Sequence, residues 1–394
     1  MIPGSVLGIL LFRMSLFLTV VLSIWAALNA YVFWRLGSVA WVGAHVQGWI
    51  VAAVAATCWA SLPIALWVRR HGAEALGEAA EFFATTWLGF LFLLFVCLLA
   101  VDLATCGGLW FHGWTDPLRV AAVSLAAVLG VVAMIQGSRE PVIGRREVVL
   151  PGLPRSADGV RLVLVSDTHL GSRLGAKWMS RLVARVVALK PDLICIAGDL
   201  ADRDADRVRP LVPVLRGLRA RLGVWAVLGN HDTYAGADDV AGIMRDAGFH
   251  VLRDASAEVL PGLRLVGVDD LGVRGGREGA ARTALLAALS GARTEGGACI
   301  LLSHTPVLLD EAAAGGAGLM LCGHTHGGQI WPFNLLVATR YRTISGVVRI
   351  GGMTTLVSRG AGTWGPRMRL WRRGEVVEVV LRSPDAVTSV RSAP

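Results

Sequence analysis

Five short stretches of this chain gather side chains that bind metal ions: Ser166-Asp167-Thr168-His169, Gly198-Asp199, Gly229-Asn230-His231-Asp232, Ser303-His304 and Gly323-His324-Thr325-His326. The donors they offer are Asp167, His169, Asp199, Asn230, His304, His324 and His326, which supply carboxylate, amide and imidazole but no sulfur. Such a mixed nitrogen and oxygen set suits Mn, Fe or Zn, whereas Ca and Mg prefer oxygen alone. Seven ligands exceed what one ion with an open position uses, so the pattern predicts two divalent ions sharing a carboxylate. Ions about 3.5–4 Å apart can clamp both the attacking and the leaving oxygen of a phosphoryl group.

A single Asp-x-His means little, and a lone histidine at a strand end is more often a hydrogen-bonded structural residue than a ligand. Here all five clusters need an explanation together. In Asp167-x-His169 and His324-x-His326 one residue separates the ligands, which in an extended segment points both side chains the same way. Gly198, Gly229 and Gly323 precede ligands and permit tight turns and close backbone approach.

The elements that must hold these groups are legible in the flanking runs. Residues 161–165, 193–197, 224–228, 263–268, 299–302 and 319–322 are continuous, apolar and of strand length, as in sheets covered on both faces. Five of them stop at a donor cluster, and the run at 263–268 stops at Asp269-Asp270. Between strands lie stretches of helical period. In 176–189 the residues Trp178, Met179, Leu182, Val183, Val186 and Val187 form one stripe, and Pro191 closes the helix. Residues 147–150 read as an edge strand, and 347–357 and 376–381 as late β segments of a second sheet. The fold class is α/β, with helices packed on a central sheet. In open α/β sheets ligand sites lie outside the carboxyl ends of the strands, so the clusters should converge.

The other part of the chain belongs in lipid. Apolar residues make up 54% of the 394 positions and charged ones only 17%, well under the roughly 25% usual for soluble domains. Stretches 14–34, 48–68, 82–101 and 120–138 carry no charge over about the length of a bilayer core, and each reads as a spanning helix. Inside them only Asn29, a few hydroxyl residues and Gln136 are polar, with no buried ion pair, so the helices read as an anchor. Arg69 and Arg70, with Arg139, Arg145 and Arg146, outnumber Arg35 and Arg119 at the opposite end. The positive-inside rule then places the C-terminal domain in the cytoplasm, and the anchor is expected in the cell's inner membrane. The domains expected are a transmembrane region over 1–140, a catalytic domain over 141–386 and a flexible tail over 387–394.

The formal charge of +9 comes almost wholly from arginine, which suits anionic lipid head groups or phosphorylated substrates. No nucleic-acid-binding signature accompanies it. The six cysteines include no C-x-x-C pair, so neither a disulfide framework nor a thiolate site is encoded.

On these residues the chain resembles the calcineurin-like metallophosphoesterases. Their pattern D-x-H, G-D-x-x-D-R, G-N-H-D, H, G-H-x-H is matched by Asp167 and His169, Gly198 to Arg203, Gly229 to Asp232, His304, and Gly323 to His326. The run Gly323 to Ile330 and the later Ser358-Arg359-Gly360 with Gly362 are most similar to the membrane-anchored branch of YkuE- and YaeI-like proteins. The resemblance implies a β-sandwich of two sheets flanked by helices. It implies that one metal takes Asp167, His169, Asp199 and His326, and the other Asp199, Asn230, His304 and His324. His231 would face the scissile phosphate, donating a proton to the leaving oxygen or stabilising developing charge, with Asp202 orienting it, while a metal-activated hydroxide attacks phosphorus. Arg203 and Arg359 are candidates to contact phosphate. Asp204, Asp206, Asp269 and Asp270 read as loop, cap or supporting residues.

The activity expected is hydrolysis of a phosphomonoester or phosphodiester, with a phosphorylated small molecule or a lipid-linked pyrophosphate as substrate. The alternative is a membrane sensor or scaffold that binds a phosphorylated ligand without turnover. Every ligand position is filled and His231 stands where only catalysis needs it, which favours the enzyme.

Overall fold

The computed structural model describes residues 4–72, 74–171, 174–274, 278–291 and 297–386. The tail expected at 387–394 lies outside the described residues. Two compact units meet between Ile135 and Gln136, and Gly365–Met368 belongs to the first.

The first unit is helical: α1 (Gly4–Gly37), the short α2 (Ala40–His45), α3 (Gly48–His71), α4 (Glu74–Thr105) and α5 (His112–Ser138). Among the described residues, four helical stretches are long and apolar enough to cross a membrane: Thr19–Gly37, Gly48–Arg69, Ala75–Gly108 and His112–Ser138. Two indoles within them pair across helices, as an apolar surrounding favours. Trp25 Nε1 donates to the Trp59 carbonyl at 2.8 Å, joining α1 to α3, and Trp87 Nε1 donates to Asn29 Oδ1 at 3.0 Å, joining α4 to α1.

One feature departs from the expected absence of buried ion pairs. Asp102 accepts from Arg35 Nε and from the Tyr31 hydroxyl, both at 2.6 Å, and lies 3.4 Å from Arg119 Nη2. The three charges come from the ends of three different apolar runs, so no single run reveals the cluster. Folding brings those ends together and leaves all three buried.

The second unit carries β1 (Val142–Val149), β2 (Arg161–Val165), α6 (Ala176–Ala188), β3 (Leu193–Ala197), α7 (Val212–Leu215), β4 (Val224–Val227), α8 (Asn230–Asp246) and β5 (His250–Val251). There follow β6 (Ala255–Leu260), β7 (Leu263–Gly267), α9 (Leu271–Arg274), α10 (Glu278–Ser290), β8 (Ala298–Leu302), α11 (Leu309–Ala314), β9 (Leu319–Cys322), α12 (Phe333–Arg340), β10 (Gly346–Ile350), β11 (Met353–Val357) and β12 (Glu375–Arg382). They form two six-stranded sheets, ordered β1-β12-β2-β3-β4-β5 and β10-β11-β9-β8-β7-β6.

Strand alternation makes the layers. Leu162 and Leu164 of β2 point into the apolar space between the sheets, with Leu265, Ile300 and Leu321 in the same cluster. The intervening Val163 and Val165 point outward to Met179, Leu182 and Val186 of α6. On the outer face of the second sheet, Val266, Leu301 and Met320 meet Leu285 and Leu289 of α10. Each of these fully buried side chains contributes about 2 kcal/mol of transfer free energy. A charge at Leu164 would break the middle layer.

Of the two late segments expected in a second sheet, 347–357 lies there and 376–381 instead lies inside the first. β12 runs parallel to β1 and antiparallel to β2, with Val377 opposite Leu164. Its alternating Val377, Val379 and Leu381 fill the space between the sheets, and sequence periodicity alone does not say which sheet a strand joins. The run 347–357 is a hairpin, β10 antiparallel to β11.

Candidate metal centre

β2, β3 and β4 are parallel neighbours in one sheet and β7, β8, β9 and β11 in the other. The chain leaves each of β2, β3, β4, β8 and β9 at a donor cluster. The backbone there is not extended, contrary to the expectation from the one-residue spacing. Asp167, His169, Asp199, His324 and His326 all have left-handed backbone, with φ of 53°, 45°, 53°, 73° and 51°. That conformation costs a non-glycine residue about 1–2 kcal/mol, and hydrogen bonds hold it. Asp167 N donates to the Gly198 carbonyl at 3.0 Å and His169 N to the Asp199 carbonyl at 3.1 Å. Thr168 and Thr325, between the paired ligands, tie themselves to the carbonyls of Leu200 and Ile344. Convergence therefore comes from strained turns rather than from strand pleating.

Glycine is required where backbones crowd the ligands. A Cβ at Gly198, whose φ is +82°, would lie 2.7 Å from both Gly229 N and His304 Nδ1. A Cβ at Gly323 would collide with the Asp167 carboxylate.

All seven predicted donors come together, in two sets. In the first, His169 Nε2 lies 3.0 Å from His326 Nε2 and 3.7 Å from Asp199 Oδ2, and His326 Nε2 lies 3.5 Å from Asp167 Oδ1. In the second, His304 Nε2 lies 3.2 Å from Asp199 Oδ2 and 3.1 Å from Asn230 Oδ1, while His324 Nδ1 lies 2.9 Å from Asn230 Oδ1. Asp199 Oδ2 is common to both. Two ligands about 2.1 Å from one ion are about 3.0–3.4 Å apart at octahedral or tetrahedral angles, close to the 2.9–3.7 Å seen here. Asp167 Oδ2 is buried with no hydrogen-bond partner, a cost a cation would remove. The residues thus fit divalent metal.

Electrostatics agree for Asp199 and His326. Burial pushes the Asp199 carboxyl up, but His304, His169 and His231 outweigh it and hold it well below the usual carboxylate range. Burial, with His169 and Arg369 beside it, drives His326 well below the ordinary imidazole value, leaving the neutral form a ligand needs. For His304, burial acts downward and Asp199 overrides it, raising the imidazole well above its ordinary value. His304 Nδ1 lies 2.8 Å from the Ala197 carbonyl, to which it can donate, leaving Nε2 to face the second set.

His231 stands beside both sets. Its amide donates to Asp199 Oδ1 at 2.9 Å, and its Nδ1 lies 2.7 Å from the Asp202 carbonyl and 3.5 Å from Asp202 Oδ1. Asp202 thus steadies the His231 ring chiefly through its backbone, and its Oδ1 also lies 3.6 Å from His169 Nδ1. Burial would lower His231, yet Asp202 and Asp199 raise it, favouring the protonated ring. Asp232 fixes the turn beneath. Its carboxylate accepts from Gly229 N at 2.9 Å and Ala201 N at 2.8 Å, and burial with repulsion from Asp199 pushes it up to about 6.

Several residues are placed otherwise than sequence spacing suggested, or were not singled out at all. Arg359 Nη2 pairs with Glu375 Oε2 at 2.7 Å, so this expected phosphate contact is committed to β12. Arg203 is half-buried and its charge acts on Asp202. Asp269 pairs with Arg253 and Arg274, and Asp270 accepts from the Thr305 hydroxyl at 2.6 Å, both supporting roles. Arg369, only 1% exposed, donates to the carbonyls of Arg359 and Gly362 at 2.7 Å and to that of His326 at 3.3 Å. Nothing in its neighbourhood in the sequence marks it among so many arginines. The Tyr341 hydroxyl lies 2.8 Å from His324 Nε2, and the Trp364 ring 6.0 Å from that of His231. Both lie outside the motifs; an aromatic following a glycine-rich loop was the only available signal.

Residues 160–328 match the family model for the calcineurin-like phosphoesterases. A transmembrane protein with metallophosphoesterase domain from Danio rerio is 34% identical over 275 residues, covering 67% of this chain and 62% of its own length. An uncharacterized metallophosphoesterase from Aquifex aeolicus is 33% identical over 58% of this chain and 87% of its own length. The uncharacterized metallophosphoesterase YkuE of Bacillus subtilis is 28% identical over 59% of this chain and 82% of its own. The chain thus spans somewhat under two thirds of the length of its transmembrane relatives, and most of its Aquifex one. With the motif residues gathered around two donor sets at the carboxyl ends of two facing sheets, and four membrane-length helices preceding them in the sequence, the chain belongs to the calcineurin-like metallophosphoesterases.

Proposed function

We propose that this protein hydrolyses phosphate esters with a dinuclear centre, one ion held by Asp167, His169, Asp199 and His326 and the other by Asp199, Asn230, His304 and His324. The observation that carries the reading is Asp199 Oδ2, which lies 3.2 Å from His304 Nε2 and 3.7 Å from His169 Nε2 and so belongs to both donor sets. Mn, Fe and Zn suit the donors. Bound there, two such ions lower the pKa of water and neutralise phosphoryl oxygens.

The chain's own groups do the rest. His231, whose Nδ1 faces the Asp202 carbonyl, is left with Nε2 to donate a proton to the departing oxygen of the ester. Asp202 and Asp199 favour its charged form, the one that has a proton to give. Asp202 also keeps the ring from turning away. The substrate is a phosphomonoester or phosphodiester, and the apolar helices favour one that is lipid-linked. The arginines at 69, 70, 139, 145 and 146 favour a cytoplasmic catalytic domain in an inner membrane.

The test is turnover of a chromogenic phosphodiester and monoester by the full chain in detergent with Mn. Hydrolysis that vanishes on chelation and returns with metal is expected. Metal binding without hydrolysis of either ester would leave a binding module instead.

A further inference from the structure

The second unit exposes more large apolar side chains around the metal centre than a water-facing surface needs. α12 contains no buried residue, and its Phe333, Leu335 and Leu336 are 39%, 62% and 62% exposed. Three exposed indoles, those of Trp331, Trp364 and Trp371, accompany it. They are held as one group: Ile330 pairs with Leu370 in a parallel bridge, which sets Trp331 beside Trp371, and Gln329 exchanges two hydrogen bonds with the Trp364 backbone, at 2.9 and 3.0 Å. Exposed arginines 340, 342 and 372 flank the patch.

An eight-residue helix with no buried face gains little from propensity alone in water. A contiguous apolar patch rimmed by polar residues marks an interaction site. The composition says which kind. Tryptophan prefers the boundary between lipid and water, leucine and phenylalanine the acyl region below it, and arginine the anionic head groups above. The chain also brings its own bilayer, through four helices of membrane-spanning length. The patch borders the site through Trp364, near His231, and through Tyr341, which follows α12 and meets His324.

We infer that α12 with Trp331, Trp364 and Trp371 is a lipid-docking surface that seats the metal centre at the head-group layer of an anionic bilayer. Its consequence for substrate, which rests on the hydrolase reading above, is that the centre acts on phosphate esters of amphiphiles presented at that depth. Head-group phosphate is then presented to the donor sets.

The full chain in nanodiscs of equimolar phosphatidylglycerol and phosphatidylcholine, doped with a diazirine-bearing phosphatidylcholine, tests this. After photolysis, lipid adducts are mapped by peptide mass spectrometry while a water-soluble chromogenic ester reports activity. Adducts are expected on residues 329–342, falling about tenfold in the Leu335→Glu/Leu336→Glu variant. Chromogenic turnover in that variant should stay within about twofold of the parent, showing an intact site. Adducts confined to residues 19–138, or unchanged in the variant, would overturn the proposal, as they would if a protein partner covered the patch. Adducts on 329–342 with no turnover of the ester by either protein would leave the docking surface standing and remove the hydrolase reading.

Discussion

Replacing Tyr341 by phenylalanine removes one oxygen atom and preserves the ring. His324 Nδ1 faces Asn230 Oδ1 at 2.9 Å and His304 Nε2 at 3.3 Å, so Nδ1 is the nitrogen presented to the second ion. Nε2 then carries the proton and donates to the Tyr341 hydroxyl at 2.8 Å. Removing the acceptor leaves a donor unsatisfied in a mostly buried place, and a lost hydrogen bond of this kind costs about 1–1.5 kcal/mol. That corresponds to roughly tenfold in affinity, the lower end of what partners behind metal ligands contribute. Burial and neighbouring His304 already lower the His324 pKa, so the ring stays neutral and the effect falls on orientation rather than charge. The assay is a Mn titration of the full chain against a competing chelator. Weakening of one binding step by about tenfold is expected, with the other step unchanged. Equal weakening of both steps, or of neither, would refute the assignment of Tyr341 to the second site.

Other perturbations reach different parts of the centre. Asp199→Asn removes the shared carboxylate and should lower chromogenic ester turnover by at least about a thousandfold, read in steady-state assays. His231→Ala should leave metal content intact and lower kcat by about a hundredfold to ten-thousandfold, with a smaller loss for esters whose leaving groups need no proton. Gly323→Ala sets a methyl group against the Asp167 carboxylate and should reduce metal retention on desalting while circular dichroism is preserved. Arg369→Met strips the buried donors from the carbonyls of Arg359 and Gly362 and should destabilise the chain by about 3 kcal/mol, seen as a lower thermal midpoint. Asp102→Asn leaves Arg35 and Arg119 facing each other without their carboxylate and should lower the temperature at which the detergent-solubilised protein aggregates, with ester turnover in the remaining soluble protein intact.

What could be read from the sequence divides along physical lines. The strands at 161–165, 193–197 and 319–322 were legible because both their faces are buried, which writes itself as unbroken apolar runs. The seven donors were legible because metal chemistry restricts residue type and because each follows such a run. Their geometry was not: the left-handed backbone at Asp167, His169, His324 and His326 is imposed by tertiary hydrogen bonds that no local pattern encodes. The partner of β12 was equally hidden, since its alternation fits either sheet. Arg369 and the Arg35, Asp102 and Arg119 cluster are contacts between distant segments, and charge in the sequence carries no address. Arg359 illustrates the converse, a residue of plausible type whose partner turned out to be Glu375.

The central claim is that one carboxylate, Asp199, joins two donor sets. Its most direct test is the metal content of the full chain after loading with Mn and desalting, measured by plasma mass spectrometry beside the Asp199→Asn variant. The parent should retain two ions per chain and the variant fewer than one, because both sets lose the oxygen they share. A parent holding a single ion, or a variant that keeps both, would contradict it.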